Sequence, residues 1–134
     1  MRQSLPALVE CADRLYTIPQ ALTSAIAGLQ LRVPQTMMLA AYPPNGFYRR
    51  HLDSYNGEDI PRKVTVLLYL LYQPQQGGHL RCHLPAGPLD IAPLPGRVVV
   101  FWSQEVEHEV LPSHGERAAL TLWVWDMKKD SRGR

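Results

Sequence analysis

The chain has 134 residues and a formal net charge of +2, with 46% hydrophobic and 19% charged residues. This length allows one compact domain, because two domains would each be too small to bury a core. The composition is too apolar for a disordered chain, and the small charge does not indicate a nucleic-acid-binding surface. Much of the net positive charge lies in residues 127–134, which we expect to form a basic, flexible tail.

The sequence shows no recognisable targeting or membrane segment. Charged residues interrupt the apolar residues near the N-terminus before they reach the length of a signal peptide. The densest apolar stretch, Val64 to Tyr72, is about half as long as a membrane-spanning helix. Cys11 and Cys82 do not form the recurring pattern of a disulfide framework. We therefore expect a monomer in the cytoplasm or nucleus, without a membrane partner.

Residues 4–31 are the part of the chain with helical periodicity. A first helix is predicted by apolar residues at three- and four-residue steps, namely Leu5, Leu8, Val9, Ala12 and Leu15. Thr17 is placed to cap a second helix, with Pro19 in its first turn. The apolar face of that helix would consist of Ala21, Leu22, Ala25, Ile26 and Leu29. We expect both helices to pack against a sheet, as a helical support over residues 1–35.

From Val33 onward, runs of Val, Leu, Tyr and Trp alternate with turn sequences such as PPNG and SHGE. These runs predict strands at 36–42, 62–71, 79–83, 97–102, 107–111 and 117–125, with a further strand at 88–92. Short strands at close spacing indicate a sandwich or a barrel. The runs 98–102 and 118–125 are apolar on both faces, so we expect both to be central strands.

A His-x-Asp motif follows the first predicted strand. In an extended backbone His51 and Asp53 point to the same side, so they can share one metal ion. His108, just after the apolar run VVVFW, can supply a third ligand. Two imidazoles and a carboxylate are the facial ligand set for iron(II), which leaves positions open for oxygen chemistry. His-x-Asp alone is more often a surface dipeptide, but the full set favours an iron site.

An arginine, Arg117, opens the apolar strand at 117–125. Burying a guanidinium is costly unless an anion meets it, and its planar fork fits a carboxylate. By alternation Arg117 shares a strand face with Ala119, Thr121 and Trp123, and the small side chains leave room for a ligand. This pattern is typical of a buried dicarboxylic acid site.

Together with their flanking residues, the segments HLD, GRVVVFWSQEVEHEVLP and RAALTLWVWD resemble the iron(II) and 2-oxoglutarate dioxygenases of the prolyl hydroxylase superfamily. The resemblance is greatest to the hypoxia-inducible-factor prolyl hydroxylases. It implies a mostly β double-stranded β-helix, or jelly roll, over residues 36–126. In that fold His51, Asp53 and His108 would bind Fe(II), and Arg117 would bind the distal carboxylate of 2-oxoglutarate.

The resemblance implies roles for further residues. Tyr69 would hydrogen-bond the distal carboxylate, while Met38, Tyr42, Thr65 and Trp123 would line the cosubstrate pocket. Plain core packing remains the alternative for the two aromatic residues at 69 and 123. No catalytic side chain is implied beyond the metal and cosubstrate ligands, and ascorbate is expected as a further cofactor.

The activity implied is hydroxylation of a prolyl residue in a protein or peptide, which consumes O2 and yields succinate and CO2. The related nucleic-acid demethylases carry a second arginine six residues after the first, where this chain has Trp123, so we expect no nucleic-acid substrate. Two alternatives stay open: the same chemistry on another side chain or a small molecule, and an inactive relative that binds peptides.

Three other features have plainer interpretations. His79, Cys82 and His83 contain two types of zinc ligand but lack a second pair at ligand spacing. His114 lies in a turn and is expected to be exposed, and Gly77-Gly78 is expected to be a strand-connecting turn, not a phosphate-binding loop.

Overall fold

The computed structural model describes residues 5–55, 57–71 and 77–127. Within these ranges the chain begins with the helices α1 (Leu5–Leu15) and α2 (Thr17–Ala25). The strands that follow are β1 (Leu31–Arg32), β2 (Met38–Tyr42), β3 (Tyr48–His51), β4 (Arg62–Leu71), β5 (Leu80–Leu84), β6 (Gly87–Ile91), β7 (Val98–Trp102), β8 (Glu107–Val110) and β9 (Arg117–Asp126). Residues 128–134, most of the predicted basic tail, lie outside the described ranges.

The strands form two antiparallel sheets. The larger sheet has the order β1-β9-β4-β7, with β2 also pairing with β9, and the smaller has the order β3-β8-β5-β6. Phe101 of the larger sheet packs against Leu80, Cys82 and Val110 of the smaller one, so the sheets lie face to face. This arrangement is the expected jelly roll.

The two helices cover the other face of the larger sheet. Leu15 packs against alternate residues of the two central strands, including Val66 and Leu122, which are completely buried. Because side chains alternate along a strand, the remaining residues of β4 and β9 point between the sheets. The helices therefore close one side of the larger sheet and leave its inner face for the site.

The predicted helices are confirmed, but details of the second are wrong. Thr17 does not cap α2, because its hydroxyl donates a 2.6 Å hydrogen bond to the carbonyl of Arg14. A threonine hydroxyl can bond to the preceding turn as readily as to the following one. α2 also ends at Ala25 and buries Pro19, with Ile18 and Leu22 against the core. Several residues assigned to the buried helix faces are instead exposed: Val9, Ala21, Ala25 and Ile26.

The predicted strands at β7 and β9 are confirmed, and the predicted central position is correct for β9 and wrong for β7. β9 is central, since β4 pairs with one edge and β1 and β2 with the other. Among the described strands β7 pairs with β4 alone, and Val98 and Val100 are 42% and 41% exposed. That face of β7 is therefore only partly covered, and an apolar pattern on both faces of a strand does not show that both faces are buried. β1 and β3 were not predicted, because one is two residues long and the other is largely polar.

The outer face of the smaller sheet carries an ion pair and a contact between a histidine and a glutamate. Arg81 and Asp90 form two hydrogen bonds of 2.8 and 2.9 Å, and His83 lies 2.7 Å from Glu109. Cys82 is buried on the opposite face of β5. Consecutive residues of one strand point to opposite faces, so Cys82 and His83 cannot approach one ion together. Among the described residues, no helix combines the length and apolar character that crossing a membrane requires.

Candidate metal and cosubstrate site

Three potential metal ligands meet at the open end of the jelly roll. His51 ends β3 and is paired directly with His108 on β8, so the antiparallel register places the two imidazoles side by side. Asp53 follows two residues after His51, and its Oδ1 lies 3.3 Å from Nε2 of each histidine. The ligand atoms of the three residues lie within 4.8 Å of one another. The structure thus brings together the residues that the sequence proposed.

The tautomer of each histidine is fixed by a backbone carbonyl. Nδ1 of His51 lies 2.6 Å from the carbonyl oxygen of Arg49, and Nδ1 of His108 lies 2.9 Å from that of Val106. A carbonyl only accepts, so each Nδ1–H donates. A neutral ring then keeps its lone pair on Nε2, whereas a protonated His108 donates its Nε2–H to Asp53. Both Nε2 atoms face Asp53, and this is the orientation that a metal-binding imidazole needs.

Asp53 carries the negative charge of the group. Burial raises the pKa of its carboxyl, but hydrogen bonds and charge attraction from His108 and the hydroxyl of Thr65 outweigh burial and leave the pKa below its ordinary value. The carboxyl is therefore ionised at neutral pH. A buried carboxylate beside two imidazoles suits a divalent cation of the first transition row.

A cavity of about 590 Å³ extends from the three ligands along the inner face of the larger sheet. Residues that the sequence assigned to the cosubstrate pocket line it: Met38, Tyr42, Tyr69, Arg117 and Trp123. Ala119 and Thr121 line the same wall, as the alternation along β9 predicted. Thr65 differs from the others, because it is completely buried and bonds to Asp53, and it is not among the residues that line the cavity.

Sheet register explains how Arg117 is enclosed. Arg117 pairs with Tyr42 of β2, and Ala119 pairs with Tyr69 of β4. The Cζ atom of Arg117 consequently lies 4.7 Å from the ring centroid of Tyr42 and 5.4 Å from that of Tyr69. The arginine is only 4% exposed, so its charge is held between two aromatic rings at the end of the cavity.

The cavity wall contains buried donors without protein partners. Among the described residues, the buried side-chain N and O atoms that lack a hydrogen bond are Nε of Arg117, the hydroxyl oxygen of Tyr69 and Nε1 of Trp123. Buried polar groups are normally paired, so three such groups in one cavity indicate a ligand rich in acceptors. Burial raises the pKa of Tyr69 to about 12, although the charge of Arg117 opposes this, so its phenol stays protonated and can donate.

Some residues at the site were missed in the sequence. Gly78 packs directly against Arg117, and no sequence signal beyond the Gly-Gly turn marks it. Tyr48 is half exposed, and its ring centroid lies 4.4 Å from that of His51. Arg62 places its Cζ 4.1 Å from the ring centroid of Trp123 and donates to the backbone carbonyl of Asp53 at 3.3 Å. These contacts depend on tertiary folding, which a local pattern does not record.

A jelly roll with a His-Asp-His group beside such a cavity is typical of the non-haem iron oxygenases. Residues 37–125 match the model of the 2OG-Fe(II) oxygenase superfamily, and the chain belongs to that superfamily. Its members use iron(II), 2-oxoglutarate and dioxygen. The ligand set and the unpaired donors of this chain fit an iron ion and a dicarboxylic acid.

Similar proteins include several prolyl hydroxylases. Prolyl hydroxylase EGLN3 of Homo sapiens and of Mus musculus is 36% identical over 105 residues, which cover 72% of this chain and 43% of each relative. A prolyl-4-hydroxylase from Pseudomonas putida has 39% identity and a TM-score of 0.72, covering 87% of this chain and 66% of that one. A Trichoplax adhaerens prolyl hydroxylase, solved with a hypoxia inducible factor peptide, has 29% identity and a TM-score of 0.76 over 97% of this chain and 60% of that one. The chain spans less than half the length of the EGLN3 proteins.

Proposed function

We propose that the chain is an Fe(II)- and 2-oxoglutarate-dependent dioxygenase that hydroxylates a prolyl residue of a protein or peptide. The observation that carries this proposal is the sharing of one cavity by the His-Asp-His group and the three buried donors without partners. One part of the cavity suits a cation, and the adjoining part suits an anion with several acceptor oxygens.

The ligands His51, Asp53 and His108 would hold the iron through Nε2, Oδ1 and Nε2. Bound iron(II), with 2-oxoglutarate and O2, supplies the oxidation and leaves succinate and CO2 as co-products. The protein contributes two fixed tautomers and one negative charge, and these would hold the ion through three ligand atoms.

The distal carboxylate of 2-oxoglutarate would meet the guanidinium of Arg117. The planar fork can form two parallel hydrogen bonds to a carboxylate, and the protonated phenol of Tyr69 can add a third. Tyr42 of β2 pairs with Arg117 at this end of the cavity, whereas Met38 of β2 and Trp123 of β9 line the cavity farther along. Thr65 acts on the site through Asp53 instead of through the cosubstrate.

A peptide substrate is supported by the rim of the cavity. Tyr48 and Tyr55 line it and are 52% and 53% exposed. Aromatic side chains at an open rim provide apolar contact area for a proline ring and for the neighbouring peptide. Prolyl hydroxylation is also the activity named for EGLN3, and the Trichoplax adhaerens relative was solved with a peptide.

The remaining proposals concern the domain organisation, the use of ascorbate, the cellular compartment and the oligomeric state. Residues 36–126 would form the oxygenase domain and 1–35 its helical support. Ascorbate would keep the iron in its reduced state. Cys11 and Cys82 are both free thiols, which supports a reducing compartment such as the cytoplasm or nucleus. A monomer acting on peptides, without nucleic acid or membrane partners, is the simplest form consistent with the sequence.

The test is mass spectrometry of proline-containing peptides after incubation with the protein, Fe(II), 2-oxoglutarate and ascorbate. The expected result is a gain of one oxygen on a proline, accompanied by succinate and absent in His108→Ala. Succinate formation with oxygen added elsewhere would favour another side chain or a small molecule as substrate. Peptide binding without any succinate would overturn the proposed activity and favour an inactive binding module.

A further inference from the structure

The two carboxylate oxygens of Asp53 have different partners. Oδ1 lies 3.3 Å from Nε2 of His51 and 3.3 Å from Nε2 of His108. Oδ2 accepts a hydrogen bond of 2.7 Å from the hydroxyl of Thr65. The orientation of the carboxylate is therefore fixed, with one oxygen at the imidazoles and the other held by a hydroxyl group.

A second hydroxyl stands behind the first. Oγ of Ser103 lies 2.8 Å from Oγ1 of Thr65, and both residues are 0% exposed. A hydroxyl has one proton, and the ionised carboxylate of Asp53 only accepts. Thr65 must then donate to Asp53, and Ser103 must donate to Thr65. The result is a directional chain of two buried hydroxyl groups that ends on Oδ2.

The backbone of Ser103 holds the same loop independently of its side chain. Its carbonyl accepts hydrogen bonds of 3.2 Å from the backbone N–H groups of Asp53 and Ser54. Its own N–H donates to the carbonyl of Lys63 at 3.0 Å, which ties it to β4. Replacing the side chain of Ser103 therefore removes the hydroxyl and leaves these backbone bonds in place.

We propose that Thr65 and Ser103 are positioning residues that make Asp53 a metal ligand through Oδ1 alone. The inference rests on the proposed role of His51, Asp53 and His108 as metal ligands. A carboxylate that is free to turn can bind a metal ion through both oxygens and so occupy one more coordination position. The hydroxyl of Thr65 holds Oδ2 away from that role and keeps a position open for cosubstrate or oxygen.

The test measures Co(II) binding to the metal-free protein by calorimetry, together with the visible spectrum of bound Co(II), which reports coordination number. Thr65→Val removes the hydroxyl and keeps the branched shape, whereas Thr65→Ser keeps the hydroxyl. We expect Thr65→Val to weaken Co(II) binding by roughly 10-fold or more and to change the spectrum, because outer partners of metal ligands typically have effects of this size. Thr65→Ser should resemble the unaltered protein, and Ser103→Ala should show a smaller loss.

Ser113→Ala is the matched control. Ser113 is also buried, but its hydroxyl donates to the carbonyl of Gly115 at 2.6 Å and does not contact Asp53. This variant should bind Co(II) normally, which separates positioning from a general loss of stability.

Two different failures can be told apart. If Thr65→Val binds Co(II) with unchanged affinity and spectrum, the positioning role is overturned while the metal site stands. Should Thr65→Val fail to fold, the same measurements are made on Ser103→Ala. Unchanged Co(II) affinity and spectrum in Ser103→Ala would then overturn the positioning role. If the unaltered protein does not bind Co(II), or binds it as well after His108→Ala, the ligand assignment itself fails.

Discussion

The backbone of Gly78 lies directly against the side chain of Arg117, and a methyl group built at Gly78 would stand 2.8 Å from Cδ of the arginine. Gly78 also has a φ of +73°, in the region that disfavours other residues. A turn that could have been a simple connection between strands therefore sets the position of the guanidinium.

Gly78→Ala should weaken 2-oxoglutarate binding, because the new methyl group would stand 2.8 Å from Cδ of Arg117 and 2.9 Å from Cβ of Ser113, so both side chains must shift. A shift of this kind should reduce apparent affinity by roughly 10-fold or more, since a misplacement of about 1 Å can cost about 100-fold in rate. The matched control is Gly28→Ala, where φ is +79° and no atom lies within 4 Å of the new methyl group. Both variants should lose about 1 to 2 kcal/mol of stability from backbone strain. Only Gly78→Ala should alter the Michaelis constant for 2-oxoglutarate, and equal effects would contradict this account.

Substitution of Arg117 separates cosubstrate binding from metal binding. Arg117→Lys keeps the charge but loses the paired geometry, and Arg117→Ala removes both. Loss of a buried charge-assisted pair costs about 2 to 5 kcal/mol, so the alanine variant should lose about 30-fold or more in apparent 2-oxoglutarate affinity. The lysine variant should lose less, and Co(II) binding should barely change in either. Normal 2-oxoglutarate affinity after Arg117→Ala would show that the arginine is structural.

Loss of any proposed metal ligand should abolish iron-dependent turnover. His51→Ala and His108→Ala each leave an incomplete facial set, and Asp53→Ala removes the charge that balances the ion. Turnover is followed by succinate formation and Co(II) affinity by calorimetry, with thermal unfolding as a check on the fold. His114→Ala is the matched control, since this histidine is exposed and does not belong to the group of three ligands. Turnover in His51→Ala or His108→Ala at the level of the control would refute the ligand assignment.

Ionisation of Tyr69 should lower the free energy of unfolding at alkaline pH. Its pKa is raised to about 12, against an ordinary value of 10.0, because burial disfavours the phenolate. The folded state therefore favours the protonated phenol, and this contribution is complete below pH 10 and is lost as the pH rises toward about 12. In urea unfolding, the free energy of unfolding should fall more steeply over this window in the unaltered protein than in Tyr69→Phe. Equal slopes would mean that Tyr69 ionises without resistance from the fold.

Sequence patterns predicted the parts of the site that alternate along one strand. Arg117, Ala119, Thr121 and Trp123 line one wall because each is two residues from the next, which requires only that β9 be extended. The two hydroxyl groups behind Asp53 could not be found in this way. Thr65 lies 12 residues from Asp53 and 38 from Ser103, so their contact exists only after the sheet and the loop have assembled.

The incorrect predictions about the fold have a similar origin. The sequence pattern of β7 shows which side chains are apolar, but not that β7 lies at the end of its sheet with Val98 and Val100 exposed. The hydroxyl of Thr17 had two available partners, the carbonyl before it and the N–H groups after it, and its sequence context did not distinguish them. Local sequence patterns therefore predicted the helices and strands, whereas tertiary packing determined which of their residues are covered and how they end.

Succinate formation from 2-oxoglutarate, measured with different metals in the presence of proline-containing peptides, tests whether the chain is an iron-dependent oxygenase. Zinc can occupy a His-Asp-His ligand set but has no redox chemistry. With oxygen present, we expect the unaltered protein to form succinate with Fe(II) and none with Zn(II), and we expect none with Fe(II) after His108→Ala. Equal succinate with Zn(II), or no succinate from the unaltered protein with Fe(II), would contradict the assignment of this chain as an iron- and 2-oxoglutarate-dependent dioxygenase.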